Sequence, residues 1–372
     1  MTAVLVYGDT IRTPELRHEV SLPIPDPFLY AETGGRRAVV IHALEIPRVR
    51  AETDLEIVAH EQLGSDELLE QGLARWQIDQ ELVLRGCREL GIERAAVPPT
   101  FPLGLADFLR QGGVELTVDR ELFDRRRRAK NEAELAGMRR AQRAAEAGME
   151  TARELMRAAL ARGSAITVEL IKAAILARFL ELNASADELI VSHGAQSAIG
   201  HEAGSGEIGR DEPVVIDLFP RDNESGVYAD MTRTFVFGEP SAELREWYRL
   251  CKEALDRALG DVRAGVTGRS LFDGTCEIFE AAGYPTPRKK EEGVPLEEGF
   301  IHSLGHGVGL EIHEAPSLGL LGNDPLVAGD VVSVEPGLYR PGFGGLRLED
   351  LVLVTEDGCE NLTSFPYEVE LT

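Results

Sequence analysis

Three apolar, β-branched stretches of the sequence each hold an acidic residue where a sheet would bury it: PVVIDLF (213–219), DVVSVEPGLY (330–339) and LRLEDLVLV (346–354). Asp217 stands between Ile216 and Leu218, Glu335 follows Val334, and Glu349 follows Leu348. An ionised carboxylate inside a sheet is strongly disfavoured unless it is paired or binds a metal. An edge strand or a nearby arginine accounts for any one of them alone; three together call for a shared explanation. A fourth acid, Asp230 in GVYADMTRTFVF, lies beyond a polar turn (Arg221 to Ser225) that reads as a hairpin and brings it back toward Asp217.

Histidine supplies the complementary chemistry. Of the eight, His18, His42 and His60 carry no pattern, whereas His302, His306 and His313 crowd into HSLGHGVGLEIHE, with His193 and His201 upstream. Gly305, Gly307 and Gly309 flank His306 and imply a backbone that comes close to something. Four carboxylates and one imidazole form a mostly hard-oxygen donor set, suited to manganese, cobalt or iron, with zinc also compatible, rather than a thiolate zinc site. Two divalent ions would neutralise the four carboxylates, and a pair roughly 3.5–4 Å apart shares a water and lowers its pKa toward neutrality, giving a hydrolytic nucleophile.

The elements around these residues fall into two blocks. Up to about residue 124, strand-like runs (VLVY, RAVVIHAL, LEIVAH) alternate with a helical segment from Ser65 to about Leu90, a shorter helix near Leu103 to Gln111 and a strand at VELTV, making a compact α/β unit. Arg125 to Arg128 and Lys130 then open a long helical pattern in which Leu135, Met138, Ala141, Ala145 and Met149 recur at three- and four-residue spacing. From there the chain reads as saying one thing twice. AELAGMRRAQRAAEAGMETARELM with a second helix to Asn183 is answered by AELREWYRLCKEALDRAL with a second helix ending near Gly283, and each pair precedes glycine-rich strands. The expectation is a pseudo-twofold domain with its site between the halves.

Composition agrees with this reading. The chain has 372 residues, 43% of them apolar and 28% charged, room for two cores of ordinary size. A formal net charge of −25 repels nucleic-acid phosphate and anionic bilayers at long range. Arg125 to Arg128, the one basic run, reads as a solvated linker face at a helix start. No apolar run approaches a membrane span and the first residues, MTAVLVYGDT, lack a signal-peptide pattern, so neither membrane nor nucleic acid is an expected partner and a cytoplasmic location is. Four scattered cysteines (Cys87, Cys251, Cys276, Cys359) form no C-x-x-C pair and suggest neither disulfides nor a thiolate site. The G-x-G-x-x-G, H-E-x-x-H and G-x-S-x-G patterns are all incomplete.

Taken in order, Asp217 in VVIDLFP, Asp230 in YADMTRTF, His306 in LGHGVGLEIHE, Glu335 in VEPGLY and Glu349 in GLRLEDLV resemble the ligand series of the creatinase, prolidase and methionine aminopeptidase superfamily, the M24 "pita-bread" metallopeptidases. The likeness is greatest to the Xaa-Pro aminopeptidase and Xaa-Pro dipeptidase branch. The resemblance implies a creatinase-like α/β N-terminal domain over 1–124 and a pita-bread catalytic domain over 125–372. It implies an exopeptidase with two divalent ions, Mn2+ foremost and Co2+, Zn2+ or Fe2+ as alternatives, cutting between an N-terminal residue and proline with a metal-bridged hydroxide. Asp230 and Glu349 would bridge both ions, Asp217 would hold one, and His306 and Glu335 the other. Glu335 would also carry the proton. His201 and His313 would contact substrate and act in catalysis, His302 would line the pocket beside the leaving residue, and Tyr339 and Arg347 would orient a carboxylate ligand. Peptides or dipeptides with proline at the second position are the implied substrates, and a homodimer the implied assembly.

One departure stands out. The two aspartates are usually 11 apart with a glycine two residues after the first; here they are 13 apart and that place is Phe219. An even insertion keeps both side chains on one face. The alternative from another class, a catalytically silent pita-bread module or a metal-free amidinohydrolase like creatinase, would be favoured by lost ligands, and all five are present.

Overall fold

In the computed structural model, which describes residues 2–371, the chain divides into two compact units, Met1–Arg127 and Arg128–Thr372, against an expected division after residue 124. The first unit is a six-stranded sheet of β1 (Ala3–Gly8), β2 (Phe28–Thr33), β3 (Arg36–Ile41), β4 (Glu56–Ala59), β5 (Arg94–Val97) and β6 (Glu115–Val118) in the order β4-β3-β2-β1-β5-β6. β2 is antiparallel to both its neighbours, β1 and β3, while β4 joins β3, β5 joins β1 and β6 joins β5 in parallel. Helices α1 (Pro14–Glu19), α2 (Ile46–Glu52), α3 (Ser65–Glu70), α4 (Arg75–Glu89), α5 (Leu103–Gln111) and α6 (Arg120–Arg128) complete it. The single helix expected from Ser65 to Leu90 is two, because Gly72 adopts φ +71° between α3 and α4.

The arginine run belongs to α6 and does not open the long helix. That helix, α7 (Glu132–Arg162), starts at Asn131, whose side chain accepts the Glu134 N–H at 2.9 Å while Glu134 accepts the Asn131 N–H at 2.9 Å, a reciprocal cap. Nor is the run a solvated face. Arg125 is exposed, but Arg126 pairs with Glu19 and Glu32, Arg127 is buried near Glu15, and Arg128 grips the buried Asp330 at 2.6 Å. Its acidic partners lie far away in sequence, which local pattern does not reveal.

The second unit repeats a motif. α7 and α8 (Val168–Glu181) are followed by β7 (Ala184–Ser185), β8 (Ile190–His193), β9 (Pro213–Leu218), β10 (Arg221–Asp222) and β11 (Met231–Val236). α9 (Ala242–Asp261) and α10 (Gly268–Ala281) are followed by β12 (Gly305–Gly307), β13 (Glu314–Leu318), β14 (Val331–Val334), β15 (Gly337–Arg340), β16 (Gly344–Arg347), β17 (Asp350–Val354) and β18 (Cys359–Asn361). The main sheets run β11-β9-β8 and β13-β12-β14-β17-β18. Each helix pair packs on its own sheet: Met149, Ile175 and Phe179 against Ile216, Leu218 and Phe235, and Leu255, Phe272 and Phe279 against Val332, Val334 and Val352. This is the mixed α/β architecture with a sheet-rich pita-bread domain. The second helix of each pair starts on a threonine cap, Thr167 and Thr267. Among the described residues no helix is long and apolar enough to cross a membrane.

Candidate metal centre

Strand alternation puts the acids on the faces turned away from the helices. In β9, Val214, Ile216 and Leu218 enter the core, so Asp217 faces the other way; in β11, Met231 and Phe235 enter it, leaving Asp230, Thr232 and Thr234 on the opposite side. Asp217 is paired in register with Thr232, which aligns it with Asp230 on one face of the hairpin. Glu335 and Glu349 differ in detail from expectation. DVVSVEPGLY and LRLEDLVLV are not single strands: β14 ends at Val334 and β15 begins at Gly337, while β16 ends at Arg347 and β17 begins at Asp350. Both glutamates sit in these breaks, where the chain passes from one sheet to another. The Glu335 N–H donates to the Leu304 carbonyl at 2.7 Å and the Glu349 N–H to the Thr232 carbonyl at 3.1 Å.

Gly305 and Gly307 are required by close approach, since a Cβ on Gly305 would lie 2.0 Å from the Ser333 carbonyl oxygen and one on Gly307 2.2 Å from that of Ala315. The backbone therefore seats His306 directly over the acids. Ligand atoms of Asp230, His306 and Glu349 all fall within 4.8 Å of one another. His306 Nε2 is 3.7 Å from Asp230 Oδ2 and 3.5 Å from Glu335 Oε1. The Gly307 carbonyl, 3.2 Å from Nδ1, assigns the ring proton to Nδ1. Nε2 then presents a lone pair to two carboxylates, an arrangement that a cation between them would satisfy.

Electrostatics agree. Asp230 is 4% exposed, Glu349 2% and Asp217 9%. Burial, then the charges of Glu349 and Asp217, push the Asp230 carboxyl well above its usual range; burial and Glu349 do the same to Glu335, and burial and Asp217 raise Glu349 to about 7. Burial, then His313, lowers His306 to about 4, so it is neutral and ready to ligate. Arg347 is the cation bonded within the set. It donates to Asp217 Oδ2 at 2.5 Å and to the Tyr339 hydroxyl at 3.1 Å, and lies 3.9 Å from Glu335. Asp217 Oδ1 is left buried without a hydrogen-bond partner. One arginine facing four acids, an orphaned buried oxygen and a neutral imidazole aimed at carboxylates fit a metal centre.

The remaining predicted residues gather at its rim. His302 shares the Tyr339 hydroxyl through Nε2 at 3.0 Å and meets the Ser303 carbonyl through Nδ1 at 2.7 Å. Burial, then the Arg347 charge, lowers His302 to about 3. His313 is exposed and its ring lies 4.3 Å from that of His306, centroid to centroid. His201, also exposed, is close enough for its charge to act on both His302 and His313.

Sequence reasoning missed three supporting residues. The Thr232 hydroxyl donates to Glu349 Oε2 at 2.8 Å and accepts from Arg347 Nε at 3.1 Å. Arg233 and Asp350, both almost wholly buried, pair at 3.0 Å behind the site, where Arg233 also donates to the Glu349 carbonyl at 2.7 Å. Thr232 could have been found by its parity with Asp230. The Arg233–Asp350 pair was hidden because Asp350 follows the more conspicuous Glu349 and its partner Arg233 is 117 residues away in sequence.

Two helix–helix–sheet halves thus carry an Asp, Asp, His, Glu, Glu set at or just beyond their strand ends. Residues 136–356 match metallopeptidase family M24, and the chain belongs to that family. It is 39% identical over 183 residues to the Xaa-Pro dipeptidase of Pyrococcus furiosus, an alignment covering 49% of each chain, and 31% identical over 275 residues to the probable dipeptidase PepE of Mycobacterium tuberculosis, covering 74% of this chain and 68% of that one. The chain thus spans about half the length of the Pyrococcus dipeptidases it matches in sequence. The X-Pro aminopeptidase structure from Thermotoga maritima superposes with a TM-score of 0.82 at 25% identity, covering 100% of this chain and 97% of that one. The Xaa-Pro dipeptidase from Bacillus anthracis gives 0.79 at 26%, covering 99% and 94%.

Proposed function

We propose that the chain is a dinuclear metallo-exopeptidase that hydrolyses the bond between an N-terminal residue and a following proline. The observation that carries this is the convergence of Asp230, His306 and Glu349 ligand atoms within 4.8 Å, beside the orphaned oxygen of Asp217 and the carboxylate of Glu335. Asp217, Asp230, His306, Glu335 and Glu349 would hold two divalent ions, with Mn2+ the foremost choice for so oxygen-rich a set. When bound, the ions supply a water acidic enough to attack at neutral pH and polarise the scissile carbonyl.

The protein's own groups do the rest. The leaving proline nitrogen must acquire a proton as the bond breaks, because an unprotonated amine anion is too poor a leaving group. Glu335, raised by burial and adjacent to His306, is suited to take a proton from the nucleophile and deliver it there. His313 stands exposed beside His306, where its ring can hydrogen-bond the developing oxyanion, and His201 is suited to the nitrogen side. Arg347 fixes Asp217 and, through Tyr339, the orientation of His302, which would flank the departing proline.

The test is a panel of Xaa-Pro dipeptides and Xaa-Pro-Yaa tripeptides with Mn2+, Co2+ or Zn2+ added to metal-stripped protein, together with elemental analysis. Hydrolysis dependent on metal, with about two ions per chain at saturation, is expected. A protein that cleaves these peptides fully after exhaustive chelation, or that holds no more than one ion when fully active, overturns the dinuclear reading.

A further inference from the structure

The aspartate hairpin keeps its register past the end of β9 and β11. Leu218 lies opposite Met231 and Arg221 opposite Tyr228; between them the Ala229 N–H donates to the Pro220 carbonyl at 3.0 Å, and beyond them the Asp222 N–H donates to that of Val227 at 2.8 Å. This unbroken register sets Phe219 directly opposite Asp230. Because Pro220 and Ala229 form the hydrogen-bonded pair, Phe219 and Asp230 form the non-bonded pair, whose side chains approach more closely, with Cβ atoms about 4.5–5.5 Å apart. Alternation places Phe219 on the face of Asp217, away from the core that takes Ile216 and Leu218.

Phe219 is half-buried, yet it joins none of the five apolar clusters formed by the described residues. A phenyl ring at this position gains nothing by facing buried carboxylates unless something apolar covers it. Its neighbour on the same face, Arg221, is tied back to the hairpin tip, its Nε donating to the Gly226 carbonyl at 2.9 Å. The ring also has a defined side. Arg347, which holds Asp217, bonds toward Thr232 and Thr234 and leads through the Tyr339 hydroxyl to His302, whereas Phe219 lies beyond Asp230 toward the tip. A peptide with its scissile carbonyl over the ligand cluster therefore has His302 at one flank and Phe219 at the other.

We propose that Phe219 is the apolar wall of the subsite for the side chain of the substrate's first residue, and that it makes the enzyme favour large apolar first residues over glycine. This rests on the exopeptidase reading, in which the leaving proline takes the His302 flank. Removing a packed apolar wall lowers discrimination for a branched side chain by about 10-fold or more.

The experiment compares wild type, Phe219→Gly and Phe219→Leu as metal-loaded proteins. In Phe219→Gly the ratio of kcat/KM for Leu-Pro to that for Gly-Pro is expected to fall about 10-fold, while Phe219→Leu keeps it within about threefold. Metal content and thermal midpoint serve as the second readout and should match wild type. A ratio that stays within about threefold in Phe219→Gly, or a loss equal for every first residue, overturns the inference. If wild type cleaves no Xaa-Pro peptide, the exopeptidase reading fails by itself. Calorimetric titration with free leucine and glycine then decides Phe219: a leucine preference lost in Phe219→Gly supports the wall, and equal binding by both proteins overturns it.

Discussion

Thr232 shows how much a single hydroxyl settles at this site. It donates a hydrogen bond to Glu349 and accepts one from Arg347, so the acid that lies deepest and the guanidinium that neutralises Asp217 are aligned by one side chain. Valine has the same shape and neither bond. Thr232→Val is expected to weaken metal affinity roughly 10-fold to 100-fold, the usual effect of losing a group that orients a ligand, and competitive titration with a chromogenic chelator measures it. An unchanged affinity would show that Glu349 needs no help from β11. His313 makes the opposite prediction. Exposed and beside His306 rather than among the acids, it should be removable without loss of metal, so His313→Ala is expected to lower kcat about 10²- to 10³-fold with full metal content by elemental analysis. A variant that loses metal in proportion to activity would place His313 among the ligands instead.

At the level of elements, β11 and the start of β17 are joined by an ion pair on the face opposite the site. Arg233 reaches Asp350, the carbonyls of Thr232, Glu349 and Phe365, and the ring face of Tyr367 at 4.5 Å, while Tyr367 and Asn361 each donate to Asp350 at 2.5 Å. Through its bonds to the Thr232 and Glu349 carbonyls, Arg233 ties the backbone of both residues to this knot. Breaking one partner leaves a buried charge, so Arg233→Met or Asp350→Asn should each lower stability by about 3–5 kcal/mol, measured from urea midpoints, with the two effects less than additive when combined. Additive losses would mean that the two residues do not act as a pair. The knot also marks where the sequence stops being legible. Asp217 betrays itself because an acid in a β-branched run is costly unless it is paired or binds a metal, and Asp230 because the polar turn after Asp217 reads as a hairpin that brings it back beside that residue. Glu335 and Glu349 are conspicuous for the same reason as Asp217, but the strand breaks that hold them are invisible, since Val334-Glu335 and Leu348-Glu349 read as continuous strand. The arginine run misleads because Glu19, Glu32 and Asp330, which bind it, are distant in sequence. The start of α7 could be read only from the Asn131 and Glu134 pair, a two-residue signal beside a loud basic one.

For the second unit as a whole, the cluster predicts that stability is tied to metal binding. Without cations, Asp230, Glu335 and Glu349 carry carboxyl groups raised by burial and by one another, Glu349 to about 7 against an ordinary value of 4.5. A group with a raised folded pKa binds its proton more tightly folded than unfolded, so its contribution is fully present below the unfolded value and is lost as pH climbs through the folded one. The metal-free protein should therefore lose stability between about pH 4.5 and 7, as the unfolded chain ionises freely and the folded cluster resists. Cations reverse the sense: they bind only deprotonated carboxylates, so their stabilisation grows over the same window. Thermal midpoints with EDTA and with excess Mn2+ are expected to lie close together near pH 5 and to separate steadily toward pH 7.5. Glu349→Gln removes one charge from the cluster, which should raise the midpoint of the metal-free protein at pH 7 and abolish most of the gain from Mn2+. A separation that is constant with pH, or that survives intact in Glu349→Gln, would mean that the buried acids are not what the metal stabilises.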